Sequence, residues 1–308
     1  MFNVLLSRLL QSLLVLFVLY TITFFLVKAM PGNPLNGDKA MPEHIRAKME
    51  SYYDLDKPVP VQYVKQLGKF VAGEPGYSFR LEGRPVVEII SQAFPVSFQL
   101  GVLAMAVAIT IGIPAGCIAA ARKNGLIDTL SMSVAMIGIC LPSFVTGPML
   151  AEYFGRSLNL MPGFGWSSAS PVTWVLPAFT LGLAYAAYLS RLTRAGMLET
   201  LSQDFVRTAK AKGVPGWKIL IRHCLRGGLI PAVAYIGPAF AGIVSGSLVI
   251  ETVFQIPGLG RHFIKSIETR DAPVILGVTM LYGSLVIVAN FLTELAGIWL
   301  NPRLRKAS

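Results

Sequence analysis

Charge is scarce in this chain. Asp, Glu, Lys and Arg make up 14% of its 308 residues, against about 25% in ordinary soluble domains. That shortfall argues against a soluble globular protein. Histidine and cysteine are scarcer still, with three of each. His44, His223 and His262 are isolated in the sequence, which argues against a metal site. Cys117 and Cys140 sit in apolar runs and Cys224 in a basic one. No pair has disulfide or metal spacing, so each reads as a small buried hydrophobe. A phosphate-binding GxxxxGK[ST] loop is missing, so ATP binding by this chain is not expected. Also missing are His-Glu-x-x-His, the paired aspartates of membrane proteases, and any nucleophile–base–acid spacing. An enzyme is therefore not expected, nor a cofactor held by the chain itself.

What the chain has is apolar length. Hydrophobic residues make up 54%, and the net charge is +11. A basic balance can indicate nucleic acid. Apolar runs on both sides of the basic stretches argue against that, and favour a membrane whose cytosolic face attracts Lys and Arg. About 20 apolar residues span a bilayer. Six runs reach that length: 9–29, 94–121, 127–154, 172–192, 229–254 and 274–300. The first competes with a signal peptide, but Lys28-Ala29-Met30-Pro31 is a poor cleavage site, so a retained helix over 1–30 is expected. Pro142, Gly147 and Pro148 in the third run predict either kinks near a cavity or simple close packing. The predicted class is an all-α polytopic membrane protein with six transmembrane helices.

Between the spans the charges are ordered. Arg8, Arg122, Lys123, the long basic stretch after Arg191, and Arg303, Arg305 and Lys306 all fall on one side if six helices alternate. That side is the cytosol by the positive-inside rule, which puts both termini there. Residues 31–91 form a polar insert on the other side, starting at the helix-breaking Pro31-Gly32-Asn33-Pro34. Within it, 43–53 and 61–71 can each form a short helix, and Gly73 to Ser78 reads as a turn. Residues 94–300 carry the other five spans, with a cytoplasmic loop at 193–229, and 301–308 is a cytoplasmic tail.

The basic stretch from Glu199 to Pro231 is more than a basic loop. Leu198, Leu201, Phe205 and Ala209 recur at helical spacing, with Glu199, Ser202, Asp204, Arg207 and Lys210 on the other face. Gly213 fits the position after a helix end, where a positive φ costs least. Pro215 then opens a second helix. A short amphipathic helix there can lie on lipid or dock in a partner's groove. Its narrow apolar face favours the partner.

Ionisable residues inside spans are functional candidates. Glu294 lies in the sixth run one helical turn after Asn290; the alternative is a helix–helix hydrogen bond. Glu152 lies near the end of the third run, where snorkelling to the interface is an equal reading. Glu251 ends the fifth, where a loop role is as good an account.

The basic stretch resembles the cytoplasmic EAA loop of importer-type ABC permeases. Asp204-Phe-Val-Arg-Thr-Ala-Lys-Ala-Lys-Gly213, then Arg222-His-Cys-Leu-Arg226 and Leu229-Ile-Pro231, are similar to the dipeptide/oligopeptide/nickel branch. Further pieces in order are Phe94-Pro-Val-Ser97, Leu141-Pro-Ser-Phe144, Arg191-Leu-Thr-Arg194, Glu251-Thr-Val-Phe254, Pro257-Gly-Leu-Gly260, Arg270-Asp271 and Asn301-Pro-Arg303. The long first insert and 237–242 look most like the B-type subunit of oligopeptide permeases. The chain departs from the general motif at Arg207-Thr208-Ala209 and at His223 to Arg226, in the manner of the peptide branch. Pro75 and Ala272 are departures in the outer loops.

The resemblance implies a type I ABC importer transmembrane domain in the cytoplasmic (inner) membrane of a bacterium. It implies import of peptides, with a second homologous permease, two ATPase subunits that bind ATP and Mg, and an extracytoplasmic binding protein as partners. It further implies that Glu199, Asp204, Phe205, Arg207, Ala209, Lys210 and Gly213 meet the ATPase. Asn290, Glu294 and Glu152 are the candidates for lining the translocation pathway. Nickel, opines or oligosaccharides are alternative cargoes on the same machinery. A secondary transporter is the alternative from another class, and it would favour internal inverted repeats, which the sequence does not display.

Overall fold

The computed structural model describes residues 2–30, 43–81 and 83–300. The Pro31–Pro34 break and the basic tail at 301–308 lie outside the described residues. In chain order the helices are α1 (Phe2–Ala29), α2 (Glu43–Tyr53), α3 (Val59–Val71), α4 (Val86–Ala121), α5 (Leu126–Cys140) and α6 (Ser143–Leu150), the last continued by a π-helical turn, Ala151–Ser157. A 3-10 turn at Pro171–Trp174 leads into α7 (Val175–Leu201). Then come α8 (Asp204–Ala211), α9 (Gly216–Lys218), a π turn at Ile219–Cys224, and α10 (Leu225–Gly228). The chain closes with α11 (Ile230–Gly246), α12 (Leu248–Val253), α13 (Leu259–Thr269) and α14 (Ala272–Leu300). Outside these helices the described residues form only isolated bridges, Tyr77 with Pro85 and Ser167 with Ser170.

Among the described residues, five helical spans are long and apolar enough to cross a membrane: Leu6–Ala29, Val86–Ala121, Pro171–Leu201, Ile230–Val253 and Ala272–Ala296. The pair Leu126–Cys140 and Ser143–Ser157 is apolar enough together but is bent by 102° at its break, the geometry of one broken span or of a re-entrant loop, which makes five crossings or six. The all-α polytopic class therefore holds, and the third run is the one that bends sharply. Pro142 explains the bend. Its ring disfavours helical backbone at Leu141, which stands extended at φ −82°, ψ 115°. Pro142 itself is extended, at φ −62°, ψ 140°, and caps α6. Two of the other spans start or stop away from their apolar runs. The second starts at Val86, well before Phe94, and the fourth continues past Leu192 to Leu201.

Two compact units divide the chain: 1–97 with 257–285, and 98–256 with 286–308. In the first, Tyr20 and Phe24 of α1 are buried against Leu276 and Met280 of α14, with Tyr63, Leu67 and Phe70 of α3 around them. The Phe24 and Tyr63 rings meet edge-on, 5.3 Å apart. The rest of α1 exposes Leu9, Leu10, Leu13, Leu14 and Leu26, the surface expected against lipid. The insert is tied down by polar bonds. The Tyr53 hydroxyl donates to the Tyr77 carbonyl at 2.9 Å and accepts the Tyr77 N–H at 2.7 Å. Asp271, 2% exposed, accepts the Ser78 hydroxyl and the Phe79 N–H, the latter at 2.9 Å. Ser97 accepts the first N–H of α13, from Leu259, at 2.8 Å.

In the second unit α7 is the spine. α5, α6, α10 and α11 all pack on it. Its buried positions include Leu176, Leu181, Leu189 and Met197. Glu251, on α12, is fully buried and accepts the Ser247 hydroxyl at 2.7 Å. That gives the fifth span's end a packed carboxylate rather than an exposed loop residue.

Candidate functional site

The stretch from Glu199 to Pro231 folds as a compact helical hairpin built on the end of α7. The single amphipathic helix expected across 198–209 is two helices. α7 ends at Leu201, where the Ser202 hydroxyl turns back to the Glu199 carbonyl at 2.7 Å. Gln203 is extended at φ −76°, ψ 156°, and α8 begins at Asp204. Asp204 in the first turn and Lys210 in the last both suit the helix dipole.

Gly213 closes α8. It stands at φ +74°, and its N–H reaches the Lys210 carbonyl at 2.9 Å. The Val214 N–H reaches back to the Ala209 carbonyl at 3.1 Å. These two bonds make a Schellman motif, which satisfies carbonyls that a helix end leaves open. Pro215, at φ −62°, ψ 143°, caps the next helix rather than occupying its first turn.

The split changes which residue faces inward. Val206 is 1% exposed and packs with Met197, Ile219, Cys224 and Ala120. Ala209, Val214, Leu198 and Leu201 are partly buried against the same cluster. Phe205, expected on the inner face, is 43% exposed. The two-residue break before Asp204 rotates α8, so that Val206 takes the place that continuous helix numbering gives to Phe205. Burial of Cys224 pushes its thiol pKa up, which keeps it protonated and unreactive.

The outer face carries Glu199, Asp204, Phe205, Arg207, Lys210 and Gly213, all exposed, with Ala209 half-buried between the faces. Arg207 lies 3.6 Å from Asp204, a fully solvated pair that contributes little to the fold. Trp217 and Ile221 are also exposed on the second arm, 63% and 58% respectively. Sequence periodicity missed both. Their signal was a Trp in a basic segment, which the lysines and arginines around it mask. Exposed aromatic and aliphatic side chains among cations make a surface suited to a protein partner.

At the foot of the hairpin, α10 lies against α7. A β-carbon on Gly196 would collide with the Gly228 carbonyl. Nearby, Arg194 makes two bonds to Asp128, from Nε to Oδ1 at 2.5 Å and from Nη2 to Oδ2 at 2.7 Å. Asp128 is buried and also accepts the Asn124 N–H at 2.9 Å.

Asn290 and Glu294 lie one turn apart on α14, both exposed in the single chain. Glu152 is exposed on the π turn after α6 and faces Arg156 at 3.5 Å. Among the described residues no group of His, Cys, Asp and Glu is placed to hold a metal.

Comparison with known proteins adds to this geometry. The family model described as "Binding-protein-dependent transport system inner membrane component" matches residues 112–306. A companion model for the N-terminal part of such membrane components matches residues 1–101. The dipeptide transport system permease protein DppB of Bacillus subtilis is 40% identical over 288 residues, covering 94% of this chain and 93% of that one. Two oligopeptide transport system permease proteins named OppB are each 39% identical. The Haemophilus influenzae protein covers 97% of this chain and 98% of its own length, and the Salmonella typhimurium protein 99% and 100%. Among solved structures, a crystal structure of an amino acid ABC transporter with histidines matches with a TM-score of 0.50 at 18% identity. It covers 68% of this chain and 94% of that one, and shows a shared fold.

Proposed function

This chain belongs to the family of binding-protein-dependent transport system inner membrane components, and we propose that it is the peptide-translocating permease subunit of an ATP-driven importer. Its relatives of nearly the same length are named as dipeptide and oligopeptide permeases. The membrane is the inner membrane of a bacterium, with the basic hairpin and both termini in the cytosol. ATP is hydrolysed by two partner ATPase subunits, and cargo is delivered by a binding protein on the other side. A second, homologous permease completes the pathway.

The observation that carries the reading is the two-faced hairpin at 199–228. Its inner face is welded to α7 and α4 through Val206, Ile219, Met197 and Ala120. Its outer face leaves Phe205 and Trp217 uncovered in a field of Arg and Lys. Phe205 is the apolar knob for a groove in the ATPase, and Asp204, Arg207 and Lys210 form rim pairs around it. Closure of the ATPases on ATP displaces α8. Because α8 has no slack against the buried cluster, the displacement reaches α7 and the spans.

Reconstitution of the complex with Gly213→Glu tests this. A β-carbon at Gly213 meets nothing within 4 Å, so the substitution brings no clash and costs the fold only the left-handed strain of φ +74°, about 1–2 kcal/mol. The expected result is a folded chain that loses ATPase association and ATP-driven peptide uptake. Unchanged uptake would sink the coupling role of the hairpin.

A further inference from the structure

The Asp128–Arg194 pair sits at the base of the hairpin, outside the surface assigned to the ATPase. We propose that Asp128 and Arg194 are positioning residues for transport, which force α5 to travel with the coupling hairpin and so deliver its motion to the break at Pro142. The inference rests on the permease reading above.

One carboxylate gathers three pieces of chain. Its two oxygens take both Nε and Nη2 of Arg194, on α7. One of them also takes the N–H of Asn124, in the turn that joins α4 to α5. Asp128 itself lies in the first turn of α5, where the helix dipole favours a negative charge. The Asp128 side chain is 4% exposed and that of Arg194 26%. A two-pronged Arg–carboxylate pair fixes orientation as well as distance. It resists the rotation of α5 about its own axis that a single hydrogen bond would permit.

The pair is also joined to the hairpin by a short path. Gly196, two residues after Arg194, packs on the Gly228 carbonyl. Met197, fully buried, touches the cluster that holds Val206 of α8 and Ile219 of the second arm. On the other side, α5 runs unbroken from Leu126 to Cys140 along α7, and there meets the 102° break. Residues 194–197 thus belong to the hairpin's foundation and, through Asp128, to α5. Helix α5 is a rod with one end clamped to the hairpin and the other at the bend.

A packing role alone would not call for an ion pair, since Leu or Met fills such a volume at less desolvation cost. Orientation is what the pair adds.

The test uses the complete transporter in proteoliposomes, with its binding protein and a labelled mixture of short peptides. Uptake and ATP hydrolysis are measured on the same vesicles for Asp128→Asn and Arg194→Lys. The expected outcome for Asp128→Asn is that ATP turnover stays within roughly twofold while uptake per ATP falls roughly tenfold, inside the usual range for coupling between sites. Arg194→Lys keeps the charge and one bond, and is expected to fall between that variant and wild type. Two results overturn the proposal: an unchanged uptake per ATP in both variants, or a parallel fall of uptake, hydrolysis and assembled complex, which marks a pair that only holds the fold. Failure of the permease reading is separately visible, because wild-type vesicles would then hydrolyse ATP without accumulating peptide.

Discussion

Gly213 and Gly196 are glycines for different reasons. Gly213 has open space around its Cα but a left-handed backbone, at φ +74°. Gly196 has an ordinary helical backbone but no space, because the Gly228 carbonyl lies where a β-carbon would go. Gly213→Ala is expected to cost only the left-handed strain, about 1–2 kcal/mol. Gly196→Ala must push two backbones apart, and the larger loss in thermal unfolding midpoint should be its own. Asp271 yields a second prediction. Burial raises its pKa above 3.8 and outweighs the hydrogen bonds from Ser78 and Phe79, which act the other way. The folded state therefore holds this proton more tightly than the unfolded one. Its contribution to stability is full below pH 3.8 and is lost as pH rises through the raised value. As pH rises above 3.8 through the raised value, wild type should lose stability relative to Asp271→Asn, read as the difference in unfolding midpoints. The sequence offered Asp271 only as part of Arg270-Asp271, and Asp128 not at all; the bonds of neither were legible. Each finds its partner far along the chain, Ser78 and Arg194 respectively, and periodicity reports only neighbours. Glu251 was read as a span-end residue with a loop role as good an account, and neither its full burial nor its bond to Ser247 was legible.

Helix α8 shows what an element adds to a pattern. The apolar spacing at 198, 201, 205 and 209 is real, and Leu198, Leu201 and Ala209 do pack inward. The break at Ser202 and Gln203 is what moves Val206 in and Phe205 out, and a two-residue break leaves no signature that a 3.6-residue period can detect. Substitutions at the two positions should therefore separate stability from partnership. Val206→Ala is expected to cost roughly 2 kcal/mol from lost burial and the cavity left behind. Phe205→Ala is expected to leave the unfolding midpoint almost unchanged and to weaken co-purification with the ATPase. The reverse pattern would show that α8 presents its other face. The third span is a similar case. Pro142 was read as a kink near a cavity or as packing; the backbone there is a full break of 102°. Hydropathy averages across such a break, which is why the run 127–154 looks continuous. Helix ends were least legible: polar residues interrupt the apolar stretch between Val86 and Phe94 and again between Leu192 and Leu201, and the helices run through both.

At the level of the molecule, the apolar runs gave the class and the place of each of the five unbroken crossings, since lipid demands length and the sequence supplies it. Which side each loop faces is a proposal from charge, and it can be checked directly. In a background without native cysteines, Phe205→Cys and Val64→Cys should react with a membrane-impermeant thiol reagent from opposite faces of sealed vesicles. Both side chains are exposed, at 43% and 67%. Labelling from the same face would reverse the assignment of the hairpin to the cytosol. A final consequence concerns α1. Its inward edge, Tyr20 and Phe24, has Leu276 and Met280 as part of its burial. Those residues follow about 250 positions later in the chain. At about 5–20 residues per second, the first helix enters the bilayer on the order of tens of seconds before that partner exists. Until α14 is made, Tyr20 and Phe24 lack part of their burial and have α3 and lipid to pack against, so α1 waits in the bilayer for its partner.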